Sequence, residues 1–286
     1  MTKTLKIEFD SIDALCAAAI EPSAWETAPR ESVTGDRDFT GTDSIDQALD
    51  FARHGWAEGL ARMTVALDSV AAAATATGPA PSYSLDVAGA FPLVPAAVGG
   101  DPLCMFNPAP INERARPVLR IATSTALRSD FQPHEVFNYG AGLIAIIDAL
   151  EQAGFSTELT SCRRNESQGP VSRLIILTKL KGAGEALDRE RLAFCLGSAS
   201  FNRRLHFGVV EARCPQKGWG FGYGSASIPQ HGSDIDSDVC LLPGPTMFRP
   251  GSDELSTPEK AFAAMKPKAL DLLRDRYASF PALFAL

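Results

Sequence analysis

This chain is poor in histidine, has no closely spaced cysteines and has no long apolar run. Each gap excludes something. The four histidines (His54, His134, His206, His231) are dispersed, so no pair stands at metal-ligand spacing. The six cysteines (Cys16, Cys104, Cys162, Cys195, Cys214, Cys240) include no C-x-x-C pair, which removes a zinc ribbon and a dithiol redox motif. A chain of 286 residues can bury a core without disulfides, so buried free thiols in a reducing compartment are expected. No segment approaches the ~20 apolar residues of a membrane span. The N-terminus has no basic stretch followed by an apolar run, so no signal peptide and a cytoplasmic location are expected.

Enzyme signatures are missing too. There is no G-x-x-x-x-G-K-[ST] and no G-x-S-x-G. The glycines of 218–224 alternate too tightly for a dinucleotide fingerprint, and no strand-to-helix turn holds them. The expectation is a protein that is not an enzyme and has no cofactor or metal.

What is present is a globular composition, 45% hydrophobic and 21% charged. The net charge of −7 is unevenly placed. Residues 1–112 hold 15 Asp/Glu against 6 Lys/Arg, whereas residues 113–217 hold 15 Lys/Arg against 11 Asp/Glu. Such asymmetry fits a polyanion-binding region shielded by an acidic one, and equally an acidic layer packed on a basic one.

The most legible stretch is Pro117 to Cys162. Residues 118–126 predict a strand. Pro133 suits the first turn of a helix, Val136, Gly140, Leu143, Ile147 and Leu150 follow at helical spacing, and Gly154 stops it. Phe155–Thr160 predicts the next strand, and the loop after it begins at Arg163-Arg164. Further on, 173–178 predicts a strand, 185–196 a helix, 205–210 a strand and 238–242 a last short strand. The fold class is therefore α/β, a central mixed sheet with helices packed on it.

Around that core, residues 1–81 form an acidic, mainly helical N-terminal region. It starts with a half-buried strand over 3–9 and a helix over 12–20. A surface loop over 21–41 follows, then a helical hairpin with Trp56 at its corner. Residues 82–286 hold the α/β core. Within it, prolines at 92, 95, 102, 108 and 110 forbid a long helix, so 82–116 predicts an extended wrap over the core. A C-terminal helix and an apolar tail occupy 257–286, and the tail either docks back or carries a homo-oligomer contact.

The densest chemical signal is Lys217-Gly-Trp-Gly-Phe-Gly-Tyr-Gly224. In an extended chain Trp219, Phe221 and Tyr223 share one face, with Arg213 and Lys217 nearby. Bases stack on such rings, each for ~1–3 kcal/mol, while cations meet phosphates. Arg163, Arg164, Arg203 and Arg204 extend the surface if they lie on loops at a sheet end. The expected function is sequence-tolerant single-stranded DNA binding, with core packing of the rings as the competing reading. Asp234, Asp236 and Asp238 alternate like the start of a calcium loop but lack its glycine and closing Glu, so a solvated acidic loop is expected.

Thr123-Ser-Thr125 ends the first central strand. It resembles the hydroxyl cluster of von Willebrand A-type adhesion sites, with Ala122 where that family places an Asp. The resemblance implies a protein-binding adaptor without nucleic acid affinity. Separately, Gly55-Trp-Ala-Glu-Gly59, Asp86-Val-Ala-Gly-Ala-Phe-Pro and Gly100-Asp-Pro-Leu-Cys-Met105 resemble a family of tailed-bacteriophage proteins. In general character the chain is similar to single-stranded-DNA-binding cofactors of phage RNA polymerase. That resemblance implies a phage protein in the host cytoplasm, with a transcription or replication role and a polymerase partner.

Overall fold

A computed structural model describes residues 3–24, 30–64, 83–89, 91–108, 117–166, 171–214 and 225–278. Strand β1 (Lys3–Phe9) leads into helix α1 (Ile12–Ala19), whose cap Ser11 accepts from the N–H of Ala14 at 3.1 Å. Two short helical turns, α2 (Glu31–Thr34) and α3 (Arg37–Thr40), stand where a plain surface loop was expected. Helix α4 (Ile45–His54) begins at the Ser44 cap and stops at Gly55, whose φ of 98° suits glycine. Helix resumes over 57–64. The Trp56 ring sits between those of Phe51 and Phe137, with centroids 6.0 and 6.2 Å away, as the corner of a helical hairpin should.

Residues 83–108 depart from the expected wrap. They build their own antiparallel sheet of β2 (Tyr83–Asp86), β3 (Phe91–Pro92) and β4 (Met105–Pro108), in the order β2-β4-β3, with a short helix α5 (Val94–Val98). The prolines allow this because they fall where no N–H is missed. Pro92 lies on an edge strand, Pro95 in the first turn of α5, and Pro108 at a strand end.

The central unit forms as its pattern dictates: β5 (Val118–Ser124), α6 (Pro133–Gln152) and β6 (Ser156–Glu166). Strand β6 runs five residues past Ser161 and forms an antiparallel hairpin with β7 (Val171–Lys181). Arg163 and Arg164 therefore lie in a strand, and the loop predicted there is displaced. Helix α7 (Arg189–Gly197) follows. The predicted strand over 205–210 is instead a π-helical stretch, Phe201–His206, continuous with α8 (Phe207–Arg213). The segment is buried on all sides, so its apolar run carries no helical period and reads as a strand. Gly208 allows the crossing with α1, since a Cβ there would lie 2.3 Å from the carbonyl oxygen of Ala19. Strands β8 (Ser225–Ala226) and β9 (Cys240–Leu242) complete the sheet, and α9 (Pro258–Arg276) ends the described chain.

The main sheet is mixed, in the order β1-β7-β6-β5-β9, with β8 attached to β6. Pairs β1/β7, β5/β6 and β5/β9 are parallel, and β6/β7 and β6/β8 antiparallel. Leu119, Ile121 and Leu159 face the helices α6, α7 and α9, while Ala122, Cys162 and Ile175 face Ile235 and Val239. Strand β1 and helices α1 and α4 share one apolar cluster with β7, α7 and α8. Helix α6 is the pivot. A Cβ at Gly140 would meet the backbone of Gly197 at 2.5 Å, and one at Gly142 would meet the Phe262 nitrogen at 2.9 Å. Two bare positions thus bring α7 and α9 in close. Among the described residues no helix is long and apolar enough to cross a membrane.

Candidate functional site

Strand β5 lies between β6 and β9, both parallel to it, so the chain passes from β5 through α6 to one neighbour and comes back on the other side at β9. Where the strand order of an open α/β sheet changes side in this way, a crevice opens outside the carboxyl ends of the two strands. Here that place is bounded by Ser124, Thr125 and Leu127 at the end of β5, the end of α7 with Ser198, and Pro245 after β9. A Cβ at Gly244 would lie 2.4 Å from the Cβ of Ser124, so the two strand ends touch through glycine. The crevice is narrow, with room for at most one water.

Its polar groups divide into two sets. One set is satisfied: Thr123 Oγ1 lies 2.5 Å from Tyr139 Oη, which donates to the Pro243 carbonyl at 2.9 Å. Burial pushes the Tyr139 hydroxyl well above its usual range, so it stays protonated and acts as a strut between β5 and β9. The other set is not satisfied. Ser124 Oγ, Thr125 Oγ1 and Asn202 Oδ1 line the crevice, are buried, and have no hydrogen-bond partner. An unmatched buried polar atom costs ~1–3 kcal/mol, so three around one crevice are a substantial burden. Cys195 also lines the crevice, but burial raises its thiol pKa well above 9.0 and leaves it inert.

Four of the arginines predicted to meet phosphate, Arg163, Arg164, Arg203 and Arg204, do not present themselves to solvent. Arg163 and Arg164 are neighbours in β6 and point to opposite faces of the sheet. Arg163 is 1% exposed, bonded to Asn165 Oδ1 at 2.6 Å and stacked over Phe207 at 5.0 Å. Arg164 is 4% exposed and held by the Ile228 carbonyl, Glu166 and Asp234. Arg203 donates to the carbonyls of Phe39, Arg128 and Phe131 at 2.6, 2.9 and 3.1 Å. Arg204, fully buried, donates to the carbonyls of Ser32, Val33, Gly35 and Thr42. Burial lowers the pKa of both, to about 10 for Arg203. Arg213 forms a forked pair with Glu21 at 2.6 and 3.0 Å. The expected arginine surface is therefore corrected for Arg163, Arg164, Arg203 and Arg204, which fasten the interior, whereas Arg213 stays exposed beside Glu21. Lys217, Trp219, Phe221 and Tyr223 lie outside the described residues.

Among the three aspartates, Asp234 differs from expectation. Asp234 is fully buried against Arg164 and Arg173, and Asp236 and Asp238 pair with Arg120. Asp234 is thus the exception to the expected solvated loop, while Asp236 and Asp238 remain exposed to solvent as they pair. Among the described residues no cluster of His, Cys, Asp and Glu could hold a metal ion.

The sequence model of a family described as a domain of unknown function, DUF7192, matches residues 1–273. The chain belongs to that family. No curated protein and no solved structure matches it. Within this DUF7192 chain, Thr123-Ser-Thr125 was readable in advance as a hydroxyl cluster at a strand end. Asn202 was not, because it stands beside two arginines that drew the functional reading. Its signal was its position after the Gly197 helix end, opposite the β5 hydroxyls in the fold.

Proposed function

We propose that this chain is an adaptor that binds a protein partner, without metal and without catalysis, at the carboxyl ends of β5 and β9. The observation that carries the reading is the trio of buried, unpartnered atoms Ser124 Oγ, Thr125 Oγ1 and Asn202 Oδ1 around one crevice. A polar group of the partner that enters this water-sized crevice meets all three at once. Strand order supports the position, since ligands of open α/β sheets lie outside the carboxyl ends of strands where the order changes side. The hydroxyl run resembles the von Willebrand A-type adhesion site. Ala122 supplies no carboxylate and lies in the apolar cluster on the other face of the sheet, so the partner is held by hydrogen bonds alone.

Affinity capture tests this, with the wild-type chain and the Ser124→Ala/Thr125→Val double variant as parallel baits. The reading predicts a discrete protein captured by the wild type, lost by the variant, and retained in EDTA. Capture that the variant keeps, or that EDTA abolishes, contradicts it. A gel shift with a single-stranded oligonucleotide separates the nucleic acid reading. Salt-sensitive retardation that disappears in Trp219→Ala/Tyr223→Ala would favour DNA as the ligand instead.

A further inference from the structure

Residues 83–108 expose more apolar surface than their small sheet can explain. Leu85 and Phe91 both stand opposite Phe106 in the register, so these positions form one row across the three strands. Val94 and Val98 lie one turn apart on α5. Val87, Phe91, Leu93, Val94, Val98 and Leu103 are 40–83% exposed. Together these six leave several hundred Å² of apolar surface open. Exposed apolar residues scattered singly are ordinary, but six within one short segment mark an interaction surface.

We propose that this surface is covered by a second copy of the chain. Three observations point to that occupant. The first is charge: Asp86 and Asp101 are the only charged residues between 83 and 108, and no Lys or Arg is present. A surface without cations does not suit phosphate or an anionic membrane, whereas poverty in charge is the character of homodimer interface cores. The second is area: the open apolar surface approaches the ~800 Å² that each partner gives to a standard interface. The third is symmetry. Pro92 blunts the β3 edge, but the outer edge of β2 is unpaired among the described residues. Two β2 strands related by a two-fold axis pair antiparallel and form a self-complementary contact. This inference uses none of the crevice residues and stands or falls separately from the adaptor reading.

Sedimentation velocity on the full chain, over a hundredfold range of concentration, is the test. The wild type should run at twice its 30.5 kDa mass at the upper concentrations. Val94→Asp/Val98→Asp, at two exposed positions, should be monomeric throughout with an unchanged circular dichroism spectrum. Phe284→Asp, in the apolar tail, should leave the dimer in place. A wild type that is monomeric throughout, a dimer that survives Val94→Asp/Val98→Asp, or a dimer lost only in Phe284→Asp would overturn the proposal.

Discussion

Arg204 grips Thr42 twice: Nη2 donates to its carbonyl at 2.8 Å, and Nε donates to its hydroxyl at 3.3 Å. The remaining guanidinium N–H groups reach Ser32, Val33 and Gly35, so one side chain ties the π-helical stretch to the whole segment from α2 to α4. Arginine is required because only a planar fork reaches so many carbonyls at once. Removing it strands several buried acceptors. Arg204→Ala should lose about 3–5 kcal/mol in urea denaturation, and Arg204→Lys should recover only part of that loss. A loss under 1 kcal/mol in the alanine variant would mean that the 31–43 segment is held by other contacts.

Glu211 does the same work from α8. Its carboxylate, fully buried, accepts from Arg30 Nε at 2.7 Å, from the Ser32 N–H at 3.0 Å and from the Ser32 hydroxyl. Glu211→Gln keeps the shape but loses the charge facing Arg30. A destabilisation of about 2–3 kcal/mol is expected, and Arg30→Met in the same background should add little. Additive losses from the two changes would show that the pair is not coupled.

Helix contact at Gly140 gives a steric prediction. Gly140→Ala places a methyl against the Gly197 backbone at 2.5 Å, where no flexible side chain can yield. Overpacking of this kind costs ~1–3 kcal/mol, and a thermal melt should show it. Gly154→Ala should cost less from contact, since no atom lies within 4 Å, and its penalty would come from the φ of 91° alone.

Stability should fall as the solution is acidified, partly through His206. The ring is buried and neither nitrogen has a hydrogen-bond partner. Burial, then the nearby Arg163 charge, holds its pKa well below 6.5. The unfolded chain therefore takes up a proton below pH ~6.5 that the folded chain refuses. With more protons bound in the unfolded state, stability is full above that pH and declines below it. His206→Phe should flatten this part of the profile in urea midpoints measured from pH 7.5 to 5. An unchanged slope would show that the ring takes up its proton as readily in the folded chain as in the unfolded one.

These examples also show what a one-dimensional reading reaches. The β5-α6-β6 unit was legible because Pro133, the apolar spacing and Gly154 all agree on one helix. The stretch 201–213 was not, because burial on every side erases the periodicity that separates helix from strand. The arginine pairs were misplaced for a related reason. Charge in a sequence reads as surface, whereas Arg203 and Arg204 are desolvated and matched to backbone carbonyls from segments more than 70 residues away. The crevice was half legible. Thr123-Ser-Thr125 could be placed at a strand end from its pattern, but Asn202 joins it only through the fold.

The adaptor reading turns on whether the crevice hydroxyls serve a partner rather than the fold. Photo-crosslinking from a reactive residue at position 127, at the crevice, asks this most directly in an extract of the source cells. The account predicts a discrete protein adduct at 127 that is absent from a probe at exposed position 20 and lost in Ser124→Ala/Thr125→Val, whose folded stability is unchanged or higher. The same adduct from both positions, or one undiminished in the double variant, would contradict it.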